Sequence, residues 1–275
     1  MHESHIEAHY AHNNLYETIL QALGKDPVQI TREDLAPIDE FHVRGQEVSR
    51  ELATAAALKQ GMRVLDAGCG LGGACRMLAA GFGCVTTGID ITGDYIRTAE
   101  KLSALTGLQQ STRFVQGSVL ALPFEENAFD AVLTQHVQMN IADKKTFYTE
   151  INRVLTTGGR FIYYDILGKA EPVRYPLPWA ADATLSFLIS SQQLHSLLTQ
   201  TGFQRIQVTD ETVKGIGFFD KLFTRITQKG MPALGLHLLM GDTAQQKLNN
   251  LRSNLIEQRV VLESGIYEKV DELTS

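Results

Sequence analysis

Arg63-Val64-Leu65-Asp66-Ala67-Gly68-Cys69-Gly70-Leu71-Gly72-Gly73 is the stretch whose reading decides the fold. A short apolar run reads as a buried strand, Asp66 stands near its end, four glycines make a turn, and a helix then begins. Glycine lets the backbone turn tightly and lets a ligand approach without a Cβ in the way. In open α/β sheets the ligand sits in the crevice beyond the carboxyl ends of the strands, which is where this turn falls.

Outward from this turn the same alternation continues. Strands are expected at 62–67, 84–90, 112–116, 129–134 and 159–165, separated by helices at 72–82, 93–106 and 143–155. Strands alternating with helices imply a parallel sheet covered on both faces, and right-handed crossovers make it a doubly wound, Rossmann-like α/β domain. Upstream, residues 1–45 are polar, with one helix at 15–23 ended by Gly24 and Pro27, and read as an N-terminal arm or lid. The main domain is expected over 46–275, beginning with a helix at 46–58. Downstream, Pro172, Pro176 and Pro178 stiffen a loop around Trp179, followed by a helix at 191–201 and a strand at 203–209. A helical insertion over about 212–259, broken at Gly230-Met231-Pro232 and near Gly241, precedes a last strand at 260–270.

Composition narrows the function classes. A net charge of -6 with no basic run argues against nucleic acid, whose binders rely on Lys and Arg to displace phosphate counterions. No apolar run approaches the ~20 residues of a membrane-spanning helix, and Met1-His2-Glu3-Ser4-His5 lacks a signal-peptide pattern. Cys69, Cys75 and Cys84 have neither zinc-site nor CxxC spacing and read as reduced core residues. A soluble, cytoplasmic protein without membrane or nucleic-acid partners is expected, with a homodimer left open.

Two ligand classes fit the glycine turn. Gly68, Gly70 and Gly73 satisfy GxGxxG, and Asp90 falls where a ribose-binding acid is expected, so an NAD-dependent oxidoreductase has to be weighed. Asp66 separates the readings: its carboxylate would repel a pyrophosphate and attract the ammonium of an amino-acid-bearing cofactor. S-adenosylmethionine carries an ammonium and a sulfonium and no phosphate. Asp90, closing Thr87-Gly88-Ile89-Asp90-Ile91, can accept both ribose hydroxyls; the alternative, a helix cap, can be served by Thr92 or Asp94.

With these residues in place the chain resembles the class I S-adenosylmethionine-dependent methyltransferases, in the group that includes the sarcosine and dimethylglycine N-methyltransferases and the ubiquinone/menaquinone and tocopherol C-methyltransferases. The likeness runs through the Asp66–Gly73 turn, Gly88-Ile89-Asp90, Gly117-Ser118-Val119, Leu122-Pro123-Phe124 with Phe129-Asp130, and Arg153-Val154-Leu155-Thr156-Thr157-Gly158-Gly159, covering about residues 45–165. It implies a seven-stranded sheet with its last strand antiparallel, and a cofactor held by Asp66, Gly68, Cys69, Gly70, Asp90, Ile91, Gly117, Ser118, Val119 and Gln135, leaving as S-adenosylhomocysteine. Ser118 and Val119 would contact the adenine, although many relatives carry an acid where this chain has Ser118. The N-terminal arm would close over the site and bring Tyr10 to it.

Methyl transfer from a sulfonium is an in-line displacement, so the protein chiefly aligns and desolvates the reactants, and a base is needed only for a protonated acceptor. Thr134-Gln135-His136-Val137-Gln138-Met139-Asn140 leaves the fourth strand where the crevice opens. His136 is the candidate positioning residue or general base, with Gln138 and Asn140 as acceptor contacts; the plainer alternative is a hydrogen-bonded structural histidine. His2, His5, His9 and His12 lie at helical spacing, yet one helix rarely supplies a whole metal site, and no metal is expected. His42 or Arg44 is expected at the site entrance or in a surface turn, and Trp179, Phe218 and Phe219 as pocket wall or as plain packing. The expected reaction is methylation of a small-molecule acceptor at N, O or C. A catalytically silent S-adenosylmethionine-binding protein is the first rival, since fold alone does not establish chemistry.

Overall fold

The computed structural model describes residues 14–270. Seven strands form one sheet in the order β3-β2-β1-β4-β5-β7-β6. They are β1 (Arg63–Ala67), β2 (Val85–Asp90), β3 (Thr112–Gln116), β4 (Phe129–Gln135), β5 (Leu155–Gly168), β6 (Phe203–Asp210) and β7 (Val260–Lys269). The first five run parallel, whereas β7 lies antiparallel between β5 and β6. The chain winds outward from β1 through β2 and β3, then returns to β4 on the other side. That reversal places a crevice above the carboxyl ends of β1 and β4.

Alternation along the strands divides the core between the two faces of the sheet. Val64, Leu133, Ile162 and Tyr164 pack on one face, with Met77, Trp179, Phe219 and Leu255. Leu65, Val132, Phe161 and Tyr163 pack on the other, with Phe147, Ile151, Leu194 and Phe203. The covering helices are α3 (Gln46–Ala55), α4 (Gly73–Phe82), α5 (Gly93–Leu105), α6 (Lys144–Val154) and α7 (Ser191–Gln200). Between β6 and β7 the insertion forms α8 (Thr212–Lys229), the short α9 (His237–Met240) and α10 (Ala244–Ile256), broken at the two expected places.

Upstream of the sheet stand two described helices where one was expected: α1 (Leu15–Leu23) and α2 (Arg32–Asp39). The second has a capping box, with the Thr31 hydroxyl accepting from the Asp34 N–H and the Asp34 carboxylate accepting from the Thr31 N–H. A satellite core joins these helices to the rest: Leu15, Ile19, Ile30, Leu35 and Ile38 pack with Leu71, Tyr95 and Leu102, and with Leu234 and Leu239 of the insertion. Strand β5 is longer at both ends than expected. Leu155 already pairs with Phe129, and the strand continues to Gly168 because β7 pairs with it that far. Among the described residues, no helix is long and apolar enough to cross a membrane.

Candidate active site

The glycine turn closes through its own backbone and Asp90. The N–H groups of Gly68 and Cys69 both donate to the Ile89 carbonyl, and that of Gly70 donates to Asp90 Oδ2 at 2.9 Å. The other Asp90 oxygen accepts from the Thr92 N–H at 2.9 Å, so Asp90 ties the first turn to the second while facing the crevice. Gly68 has φ +88° and lies so close to Val137 that a Cβ would overlap that side chain. Gly68→Ala therefore combines a left-handed conformation with a clash, and is expected to lower stability by about 1–3 kcal/mol and weaken ligand binding. In a denaturation series, adding Val137→Ala should restore the steric part of the loss and leave the backbone part; no recovery would mean the clash is not the cause.

Gly73, the third glycine of the GxGxxG spacing, serves packing. A Cβ there would overlap the Asp39 carbonyl, so the end of α2 rests directly on the start of α4. Asp39 also pairs with Arg76 of α4, whose side chain is 0% exposed and donates further to the Ala99 carbonyl and Ser103. In dinucleotide-binding folds the pyrophosphate occupies the N-terminus of this helix; here residue 39, with its carboxylate, is packed against it.

The turn and the end of α2 enclose a cavity of about 420 Å³, within the usual range for a small-molecule site. Asp66 lies at its floor, 3% exposed. Its carboxylate accepts weakly from the Cys75 thiol at 3.7 Å. Burial, reinforced by the nearby charges of Glu40 and Asp90, pushes its carboxyl up to about 7. Among the described residues no cation pairs with it. A buried carboxylate without a counter-ion, beside a glycine cradle and a second acid, fits a ligand that brings its own positive charge.

Strand β4, beside β1, delivers Gln135 and His136 to the cavity. His136 has φ +53°, a conformation uncommon outside glycine and found at functional sites. Its ring stacks on Tyr164 at 5.3 Å and meets the His42 ring edge-on at 5.8 Å. Burial, with the neighbouring His42, holds its pKa well below the usual histidine value, so the ring is neutral at pH 7, and its buried Nε2 has no hydrogen-bond partner among the described residues. After His136 the chain folds over into a short 3-10 turn, Gln138–Asn140. Asp165 secures this turn by accepting from the Val137 N–H at 3.0 Å. Lys144 donates from below to the carbonyls of Gln138 and Ile141, at 2.7 and 2.5 Å.

Eleven of the cofactor and catalytic candidates read from the sequence line this cavity: Asp66, Gly68, Cys69, Gly70, Asp90, Ile91, Gly117, Val119, Gln135, His136 and Asn140. Ser118 stands behind the lining, its hydroxyl accepting from the Leu120 N–H at 3.0 Å, while Leu120 faces the cavity. Tyr10 and the four N-terminal histidines lie outside the described residues.

Several expectations are corrected. Gln138 is 0% exposed and donates to the Ile166 carbonyl at 2.9 Å, because the 3-10 turn rotates it into the core and away from an acceptor. Arg44 is buried against Glu47, Glu51 and Glu211 and is therefore no entrance residue. Of the two readings of Trp179, Phe218 and Phe219, plain packing holds: they pack in the core, with the Trp179 indole N–H donating to Ser186, and are not among the cavity's lining residues. Cys69, Cys75 and Cys84 are free and buried. The reading from sequence missed Asp39 and Glu40, which enter the lining with His42 from the end of α2. The Thr31–Asp34 spacing signals that helix, but nothing local says what lies beneath its end.

Comparison with known proteins agrees with this geometry. A family model described as a methyltransferase domain matches residues 58–202. A sterol 24-C-methyltransferase of Gibberella zeae is 37% identical over 116 residues, which is 42% of this chain and 30% of that protein. The match thus spans less than a third of that relative's length. Norajmaline N-methyltransferase of Rauvolfia serpentina is 30% identical over 206 residues, 70% of each chain. A structure of geranyl diphosphate C-methyltransferase from Streptomyces coelicolor superposes with a TM-score of 0.72 over 98% of both chains at 15% identity, a likeness of fold.

Proposed function

Because this chain belongs to the methyltransferase-domain family, we propose that it transfers a methyl group from S-adenosylmethionine to a small-molecule acceptor. The observation carrying the reading is Asp66: a buried carboxylate, without a cationic partner among the described residues, at the floor of a glycine-cradled cavity. S-adenosylmethionine supplies an electrophilic methyl on positively charged sulfur. Asp66 takes the ammonium of its amino-acid part and Asp90 the ribose hydroxyls. Ile91 and Val119 wall the adenine, and the backbone around Ser118 meets its edge. Gln135, fixed by donating to the Ser49 hydroxyl at 2.9 Å, borders the reacting end. Residues 1–45 act as the lid over residues 46–275: α1 and α2 pack across α5 and onto the insertion, and residues 39–42 complete the cavity wall. The net charge of -6 and the three free, buried thiols support a cytoplasmic enzyme of small-molecule metabolism.

His136 is the proton acceptor in this reading. Its neutral ring, held in a left-handed conformation, belongs to a residue that lines the cavity, and its Nε2 has no partner among the described residues. His136→Asn keeps a residue type that tolerates this backbone and removes the imidazole. Turnover is expected to fall about 10²-fold or more with S-adenosylhomocysteine affinity nearly unchanged. Unchanged turnover would remove His136 from the chemistry. The whole reading is tested by offering labelled S-adenosylmethionine to cell extract and fractionating the products, alongside calorimetry with S-adenosylhomocysteine and NAD. Label in the small-molecule fraction and preference for S-adenosylhomocysteine are expected; tighter binding of NAD overturns the reading. Binding without transfer to any fraction would favour the silent binding protein.

A further inference from the structure

The cavity has a marked charge asymmetry. Five carboxylates line it, from Asp39, Glu40, Asp66, Asp90 and Asp143, and no lysine or arginine does among the described residues. Two buried basic side chains, Arg76 and Lys144, are committed elsewhere. Arg76 is spent on Asp39, and Lys144 on the carbonyls beneath the 136–141 turn.

Glu40 is the carboxylate whose surroundings say most. It is 6% exposed. Its Oε2 accepts from the Ser49 hydroxyl and faces His42 Nε2 at 2.9 Å, while its Oε1 is buried with no partner among the described residues. The other ring nitrogen of His42 faces the Val43 carbonyl at 3.2 Å. His42 and Ser49 thus brace one oxygen of Glu40, a residue that lines the cavity. Within the same cavity His136 Nε2 is the second partnerless polar atom, its ring 5.8 Å from that of His42. Buried polar atoms ordinarily have partners, and among the described residues these two lack theirs.

We propose that Glu40 is the specificity residue for the acceptor, and that the acceptor is a small amine that enters as its ammonium. One N–H donates to Glu40 Oε1 and another to His136 Nε2. The ammonium loses one proton to His136 Nε2, the freed lone pair forms the N–CH3 bond, and the electron pair of the broken S–C bond stays on sulfur. The amine leaves one methyl heavier, and His136 returns its proton to solvent. An anionic acceptor meets like charge from several sides. The Streptomyces enzyme of similar fold was solved with Mg2+ and geranyl diphosphate; here no group of three metal-ligating side chains is gathered among the described residues to offset such charge. This inference rests on the methyltransferase reading.

The test uses the full chain with labelled S-adenosylmethionine and three probe sets at equal concentration: small primary and secondary amines, phenols, and carboxylic acids. Label should enter the amines. Glu40→Gln should raise KM for the best amine about 10–100-fold, the weight of a hydrogen bond to a charged group, while kcat changes less and S-adenosylhomocysteine affinity stays within about twofold. Glu40→Asp, tested alongside, should recover part of the loss, and melting of both variants shows whether they fold. Label in phenols or acids in preference to amines overturns the proposal. So does an equal loss of S-adenosylhomocysteine affinity in Glu40→Gln, which would assign Glu40 to the cofactor. If no probe is methylated while S-adenosylhomocysteine binds, occupancy is read from melting of that complex, and amines that fail to raise the midpoint also overturn it. Failure of S-adenosylhomocysteine to bind at all would instead strike the methyltransferase reading itself.

Discussion

Asp66→Asn is expected to weaken S-adenosylmethionine binding about 10–100-fold and to flatten its dependence on pH. In the ligand-free protein burial holds the Asp66 carboxyl up to about 7, so near neutrality the cavity floor is only partly ionised. An ammonium binds the carboxylate, and binding therefore draws the equilibrium toward deprotonation. Affinity should fall roughly tenfold per pH unit below about 7, with release of up to one proton on binding. Isothermal titration in two buffers of different ionisation enthalpy measures that proton directly. An affinity that is flat between pH 5.5 and 8, with no proton released, would sink the assignment. Stability runs the other way. The folded-state pKa of Asp66 lies above its ordinary value of 3.8, so its protonated form stabilises the fold at low pH, and that contribution is lost as pH rises through about 7. The ligand-free Asn variant should therefore melt higher than the parent at pH 8 while binding worse. The acid is kept at the expense of stability because its ligand needs it.

Arg76→Ala is expected to destabilise the protein by about 3–5 kcal/mol, the loss found when one partner of a buried ion pair is removed. That is a large part of the 5–15 kcal/mol typical of a whole domain. Arg76 and Asp39 are 0% and 5% exposed, and burial raises the Asp39 carboxyl despite the guanidinium beside it. Without Arg76 the Asp39 carboxyl must be buried uncompensated or protonated. Urea denaturation should show the loss, and the double variant Asp39→Leu with Arg76→Met should recover most of it, since an apolar pair of similar volume often replaces an ion pair without penalty. A single-variant loss under about 1 kcal/mol would mean that water shields the pair as it does at a surface. The same substitution should loosen the cavity, because Asp39 and Glu40 enter the lining together.

The legible parts of this protein are those whose physics is local. Strand–turn–helix chemistry at Asp66–Gly73, the alternation of the parallel strands and the glycine breaks in the insertion depend on neighbours in sequence, and they stand where expected. Cavity residues on the β-strand ends were legible for the same reason. The 3-10 turn after His136 was not. Its direction is set by Asp165 and Lys144 from two other elements, so Gln138, which reads as a polar residue entering the crevice, turns inward to Ile166. Glu40 was invisible because its setting is made at long range, through Ser49 to Gln135, 86 positions apart in the chain. Trp179 was open between pocket wall and plain packing, because nothing local says what an aromatic in a proline-rich loop meets; the loop packs down against Phe219 and α10.

The place of β7 bears on how the chain reaches this fold during synthesis. Strand β6 pairs with β7 and with no other strand, and β5 pairs on that side with β7 alone. A nascent chain that has emerged only as far as residue 259 can assemble β3 to β5 and the glycine turn, yet it carries an open, largely apolar edge on β5 and a β6 with nothing to join. The gap between them closes only when residues 260–269 leave the ribosome and slide in antiparallel to both. The β7–β6 end of the sheet therefore waits on that strand, and the interval before it arrives is when the edge of β5 is exposed to other chains.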